Sequence, residues 1–157
     1  MRNILKNSIR LMALTAFTVM SVFAADESLG TWKLNMEKSM FSPSAPVKSL
    51  TTVREASDGG VKVTTTGERA DDTPINASYT AKYDGKPYAV TGAPYDSVSI
   101  KQVNAHTFTI TQKSSSTKYN TTVRSVISSD GKTMTNASKG IGADGNSISY
   151  TMVYEKQ

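Results

Sequence analysis

The sequence has no cysteine and only one histidine among its 157 residues. Without cysteine the fold uses no disulfide bonds. The lone His106 could be a haem or metal ligand, but a single imidazole cannot build a zinc or copper cage, and we favour a strand-end or surface histidine. Glu68, Asp71 and Asp72 could gather calcium, although such acidic groups are more typical of a solvated turn. We therefore expect no metal and no cofactor.

Long apolar runs are also scarce, and the one present lies at the start. Basic residues at Arg2, Lys6 and Arg10 precede an apolar stretch from Leu11 to Phe23, and small residues follow at Ala24 and Ala25. This order predicts a secretory signal peptide over residues 1–25. The run is shorter than the about 20 residues of a membrane span, so we expect no stable membrane anchor. The mature protein should be periplasmic or extracellular.

Excess charge is small once that segment is set aside. The whole chain carries a formal charge of +5, but three of its 18 basic residues and none of its 13 acidic residues precede residue 25, which leaves 15 against 13, or +2. A nearly balanced chain without a basic cluster argues against nucleic acid as a partner. Residues 26–157 are enough for one domain that buries about two-thirds of its unfolded surface, and we expect a monomer.

What the chain does contain is Thr, Val, Tyr and Ile in alternating patterns, which predict strands rather than helices. Four Asp-Gly pairs, at residues 58–59, 84–85, 130–131 and 144–145, suit tight hairpin turns and predict antiparallel neighbours. Pro43, Pro46 and several serines predict a loop from Met36 to Val47 that could fold over an opening. The candidate strands are Gly30–Asn35, Lys48–Glu55, Gly60–Thr66, Ile75–Tyr83, Lys86–Val90, Ser97–Val103, His106–Gln112, Lys118–Ser128, Lys132–Ser138 and Ser147–Glu155.

An internal repeat relates the two halves of the mature chain. The segment Thr51-Thr52-Val53-Arg54 returns as Thr121-Thr122-Val123-Arg124, and Gly67 and Ser78-Tyr79-Thr80 return as Gly140 and Ser149-Tyr150-Thr151. The preserved order indicates a duplicated meander. Two such meanders predict an all-β, antiparallel up-and-down barrel of about 8 to 10 strands, whose closure removes exposed edges.

The first predicted strand carries a resemblance to known families. Gly30-Thr31-Trp32 is similar to the Gly-x-Trp signature of lipocalins, and Gly30-Thr31-Trp32-Lys33-Leu34 resembles the opening of fatty-acid-binding proteins. The chain also resembles small secreted bacterial lipocalin-like proteins. The resemblance implies a calycin-like barrel over residues 26–157, in which a late basic residue packs across Trp32; Lys156 has that place, with Arg124 as the alternative.

Two features depart from fatty-acid-binding proteins. The segment Met36–Val47 is too short for their helix pair, and the last strand lacks the arginine of their Arg-x-Tyr carboxylate clamp. A fatty-acid carboxylate therefore has no obvious partner in this sequence.

Alternation predicts which side chains face the barrel interior. The inward faces are Ile75 to Tyr83 in steps of two, Ile148 to Tyr154 in steps of two, and Phe108 with Ile110. Such side chains could fill the barrel, and Trp32 could be an ordinary core residue, or they could line a ligand cavity. We predict a cavity wall made by Trp32, Tyr79, Tyr83, Phe108, Tyr150, Met152 and Tyr154.

Two patterns that suggest catalysis have the wrong context. Residues 140–145 fit G-x-G-x-x-G, but a strand rather than a helix follows them. Residues 115–118 fit S-x-x-K, but they lie in a predicted hairpin loop without the partner motifs S-D-N and K-T-G. We therefore expect no enzyme, and predict a secreted binding protein for a small hydrophobic or amphipathic ligand. The alternative is a filled barrel with a structural or protein-interaction role.

Overall fold

The computed structural model describes residues 26–157, and ten antiparallel strands form one closed barrel. Each strand pairs with its neighbours in the chain, and the last pairs with the first. This topology confirms the predicted all-β, antiparallel, up-and-down barrel, at the upper limit of the predicted strand number. The strands are β1 (Gly30–Ser42), β2 (Val47–Ser57), β3 (Gly60–Arg69), β4 (Pro74–Lys82), β5 (Asp84–Thr91), β6 (Ser97–Asn104), β7 (Thr107–Lys113), β8 (Asn120–Ile127), β9 (Thr133–Ile141) and β10 (Ser147–Lys156).

The predicted turns are confirmed at three of the four Asp-Gly pairs, whereas Asp84 and Gly85 are the first residues of β5. Gly59, Gly85, Gly131 and Gly145 have φ between 65° and 85°, a backbone conformation that glycine adopts without steric cost. The predicted signal peptide, residues 1–25, lies outside the described residues. Within residues 26–157, no helix has the length and apolar character needed to cross a bilayer.

The segment Met36–Val47 differs from the predicted loop, because β1 continues to Ser42. A bulge interrupts the pairing of β1 with β10 between Asn35 and Met40. The Ser39 hydroxyl donates to the Asn35 carbonyl (2.6 Å) and accepts from the Val153 amide (3.0 Å), so these two backbone groups have partners at the bulge. Only residues 43–46 remain as a connection.

The repeat falls on three strands of each half, but relative to Gly67 and Gly140 its first segment is displaced by one position and its last segment by two. Gly67 on β3 lies opposite Leu50, and Gly140 on β9 lies opposite Thr121. Leu50 and Thr121 are therefore structurally equivalent, although the sequence repeat aligns Thr51 with Thr121. A one-residue shift in a strand moves each side chain to the other face.

The displacement separates the two arginines of the repeat. Arg54 is buried inside the barrel, whereas Arg124 is exposed on the outer surface. The matching strands are β2 to β4 and β8 to β10, which lie six strands apart, whereas two equal halves of a ten-stranded barrel would lie five apart. The sequence repeat thus relates three-strand units rather than whole halves of the barrel.

The barrel is filled at one end only. Val61, Ile100 and Phe108 are completely buried there, together with Trp32. This closed end is the one at which the connection from β2 to β3 lies. Residues 26–29 cross it before β1 begins, and we refer to them as the closing segment.

Candidate ligand-binding cavity

The opposite part of the barrel encloses a cavity of about 600 Å³. Connections on one end of the barrel form its rim: residues 43–46 between β1 and β2, residues 92–95 between β5 and β6, and residues 142–146 between β9 and β10. Ligand pockets in proteins commonly have volumes of about 300–1,000 Å³, with apolar walls and a few polar groups. The barrel is therefore hollow rather than filled, which corrects the alternative of a fully packed interior.

Four of the seven predicted wall residues lie on the wall of this cavity. They are Tyr79, Tyr150, Met152 and Tyr154. On β10 the alternation places Ile148 on the same wall, as the period of two predicts. Contact of these residues with a ligand stays a prediction.

The other three predicted wall residues lie elsewhere. Trp32, Tyr83 and Phe108 pack in the closed end, where the rings of Tyr83 and Phe108 have centroids 5.1 Å apart. Alternation gave their direction correctly, because they face inward, but it contains no information on depth along the barrel axis. Their place on the cavity wall was wrong for this reason.

The closing segment explains why these aromatic side chains are covered. Trp32 is 0% exposed, and its Nε1 donates to the Ser28 carbonyl at 2.8 Å. The Tyr83 hydroxyl donates to Asp26 at 2.6 Å. Polar atoms of buried aromatic residues need such partners. The segment thus seals the barrel below the cavity.

His106 lies outside the cavity, on the outer side of this seal. Its Nδ1 is 3.0 Å from the Glu27 carboxylate, and it occupies the turn between β6 and β7. Residues 26–157 contain no group of three or more side chains suited to a metal ion. The structure gives His106 a contact with the closing segment.

The acidic residues considered as calcium ligands, Glu68, Asp71 and Asp72, form contacts with neighbouring side chains and backbone. Lys48 forms ion pairs with Glu68 and Asp72. The Thr73 hydroxyl and amide donate to Asp71 and lower the pKa of that carboxyl below its ordinary value. These contacts account for the cluster as a hydrogen-bonded turn between β3 and β4.

The two patterns considered for catalysis occupy hairpin connections. Residues 140–145 run from the end of β9 into the β9–β10 turn, where the Gly145 amide donates to the Gly142 carbonyl. The Ser115 hydroxyl donates to Asp96 at 2.5 Å in the connection between β7 and β8. The Ser115 amide donates to the same carboxylate at 2.8 Å, so these bonds form an exposed turn contact.

Among the cavity residues that sequence reasoning missed, Arg54 carries a charge. It lies on the cavity wall at the inner end, is 6% exposed, and donates from Nη2 to the Ser28 hydroxyl at 3.3 Å. Its Nε has no hydrogen-bond acceptor among residues 26–157. In the sequence, Arg54 shares one face of β2 with Leu50 and Thr52, and Val53 lies on the opposite face. Each face thus has an apolar residue, so alternation alone does not decide which one is buried.

Tyr79 is the neighbour of Arg54 across the sheet. Arg54 pairs with Val63, and Val63 pairs with Tyr79, so the three side chains share one row on the inner face. Burial raises the pKa of Tyr79, and the nearby guanidinium opposes that rise. The phenol is neutral at physiological pH and its hydroxyl can donate a hydrogen bond.

Aromatic pairs stand near the rim. Tyr95 and Tyr119 have ring centroids 5.5 Å apart, and Phe41 and Tyr150 have centroids 5.6 Å apart. Burial raises the pKa of Tyr95 well above its ordinary value. The upper wall therefore offers flat apolar surfaces with neutral hydroxyl groups, which suit an amphipathic molecule.

Comparisons with known proteins give a likeness of shape only. No protein-family model matches the sequence, and no curated protein matches it. Among solved structures, the chain is similar to the zebrafish ileal bile acid-binding protein in complex with cholic acid, at 13% identity and a TM-score of 0.48. The match covers 83% of this chain and 99% of that chain. No residue role is carried over from it.

Proposed function

We propose that this protein binds a small, mainly hydrophobic or amphipathic molecule inside its barrel. The observation that carries the proposal is the cavity of about 600 Å³, whose wall combines aliphatic side chains, tyrosines and a few polar groups. We also propose that it acts as a monomer in the periplasm or outside the cell. The composition of residues 1–25 supports export. Only two large apolar side chains of the described residues, Met40 and Val103, are strongly exposed.

Native mass spectrometry of the protein purified from its own compartment tests the proposal directly. A mass excess that disappears on denaturation would identify a bound molecule and give its mass. Uptake of phenylnaphthylamine, a neutral dye that fluoresces in apolar surroundings, provides the second readout.

A matched pair of variants locates the binding. Ala77 lies on the cavity wall, and Ala137 is exposed on the outer face of β9, between the cavity residues Asn136 and Ser138. Ala77→Phe fills part of the cavity and should weaken dye uptake at least about tenfold, a loss of about 1.4 kcal/mol, whereas Ala137→Phe should leave it unchanged. Equal uptake by both folded variants, together with a bare polypeptide mass, would contradict the proposal.

A further inference from the structure

The cavity contains a buried positive charge without a paired negative charge. The guanidinium of Arg54 is almost completely covered, and no ion pair joins it to an acidic side chain within residues 26–157. Its one hydrogen bond to a side chain, to Ser28, is long at 3.3 Å, and Nε has no acceptor. Burying a charge costs several kcal/mol of free energy unless a partner compensates it. The inner end of the cavity therefore favours an anion.

Acidic side chains at the two ends of the barrel make other contacts. Asp26, on the closing segment, accepts hydrogen bonds from the Ser28 amide at 2.9 Å and from the Tyr83 hydroxyl at 2.6 Å. Asp144, at the rim, accepts from the Asn146 amide and side chain at 2.9 and 2.8 Å. Neither carboxylate forms an ion pair with Arg54, so the guanidinium remains available to a group that enters the cavity.

The neighbours of Arg54 would complete an anion site. A guanidinium presents several N–H donors in a planar fork that matches a carboxylate or sulfonate. Tyr79 lies on the same row of the inner face and adds a hydroxyl. Above this row the wall is mainly apolar, with Met152 and Tyr150 on β10 leading towards the rim.

We propose that the ligand is an organic anion, whose carboxylate or sulfonate group binds Arg54 at the inner end of the cavity while its apolar part extends towards the rim. The inference rests on the proposed function and names the ligand class for the same cavity. It also sets the orientation, with the charged group bound deepest. This arginine comes from β2, and not from the last strand, in which the sequence has no arginine.

Two dyes with one ring system separate the inference from the proposed function. Anilinonaphthalene sulfonate carries an anionic group, and phenylnaphthylamine has the same rings without it. In Arg54→Met, binding of the sulfonate should weaken at least about tenfold, since a charge-assisted hydrogen bond is lost, and binding of the neutral dye should change less than about twofold. Tyr79→Phe should weaken the sulfonate about threefold to tenfold.

The chain offers a matched control in Arg124, which follows the same Thr-Thr-Val sequence but is exposed on the outer surface. Arg124→Met should leave the binding of both dyes unchanged. Circular dichroism and thermal unfolding verify that each variant is folded. If Arg54→Met does not fold, competition on the wild-type protein decides, because a long-chain carboxylic acid should displace the sulfonate dye at least about tenfold better than its primary amide.

Each outcome has a distinct meaning. If the wild-type protein binds both dyes, the proposed binding function stands. The anion inference is then overturned if Arg54→Met weakens the binding of both dyes equally, or if the acid displaces the sulfonate dye no better than its amide does. A wild-type protein that takes up neither dye overturns both proposals. Loss confined to the sulfonate dye, and absent in Arg124→Met, supports both.

Discussion

The Nζ atom of Lys156 lies 5.1 Å from the centroid of the Trp32 ring, and the same ammonium donates to the Glu27 carbonyl at 3.1 Å. This contact confirms the predicted basic partner of the tryptophan and excludes Arg124, which is exposed on β8. Gly30 makes the approach possible, since a Cβ at that position would lie 2.9 Å from Lys156 Cε. The last strand is thereby joined to the closing segment.

The first prediction tests this contact through the substitution Lys156→Met. Because the lysine is exposed, loss of the cation–π contact and of the hydrogen bond to Glu27 should lower the free energy of unfolding by about 1 kcal/mol. Urea denaturation followed by the fluorescence of Trp32, the one tryptophan of the chain, measures the change. Lys101→Met, at an exposed position of β6, is the control and should change stability by less than about 0.5 kcal/mol.

Strand positions could be predicted because two local signals agree. Alternating Thr, Val, Tyr and Ile indicate strands, and Asp-Gly pairs between them impose tight turns. All ten observed strands overlap the predicted ones. β1 extends beyond its predicted end at Asn35, because the Val153 amide on β10 donates to the Ser39 hydroxyl at the bulge, a contact between residues 114 positions apart in the chain. A contact between such distant residues leaves no pattern in the sequence around Ser39.

The candidate site was only partly predictable for a related reason. Alternation indicates the face of a strand but not the depth at which a side chain lies, so Tyr79 and Tyr83 in the predicted strand Ile75–Tyr83 received the same prediction. In the structure Tyr79 borders the cavity, whereas Tyr83 bonds to Asp26 in the closing segment. Arg54 was missed because its inward direction depends on the one-residue displacement between β2 and β8, which pairing across the barrel determines.

A second prediction concerns Gly140, where β9 passes close to β8. A Cβ at this position would lie 2.1 Å from the Asn120 carbonyl oxygen and 2.7 Å from the Thr121 Cα. Both are backbone atoms that cannot move without disturbing the sheet, so Gly140→Ala should cost at least about 2–3 kcal/mol of unfolding free energy. Gly142→Ala is the control, because its nearest neighbour is the flexible end of Asp144 at 3.1 Å. Equal unfolding midpoints in urea would contradict the prediction.

A third prediction concerns the weakest pairing in the barrel, between β4 and β5. Only Ser78 with Thr91 and Tyr79 with Val90 are aligned there, whereas β3 and β4 are paired from Gly60–Lys82 to Glu68–Pro74. Amides without a ladder partner exchange with solvent through small local openings. Hydrogen exchange measured by mass spectrometry should therefore be faster for residues 83–89 than for residues 61–67. Similar protection of the two segments would show that β5 is held by contacts other than this ladder.

The last prediction concerns alkaline pH and Tyr83. Burial raises the pKa of Tyr83 to about 12, and its hydrogen bond to the Asp26 carboxylate adds to the rise. In the unfolded chain the phenol ionises near its ordinary value of 10.0. The folded state therefore binds this proton more tightly, and the resulting stability is fully present below pH 10 and is lost as the pH rises through about 12.

Tyr83→Phe removes this titration and provides the comparison. The difference in unfolding free energy between the wild-type protein and Tyr83→Phe should be constant from pH 7 to 9 and should then shift against the wild type between pH 10 and about 12. Other buried tyrosines, Tyr154 among them, also have raised pKa values and destabilise both proteins alike. Urea denaturation at each pH measures the difference, and parallel alkaline losses in the two proteins would show that Tyr83 ionises as readily folded as unfolded.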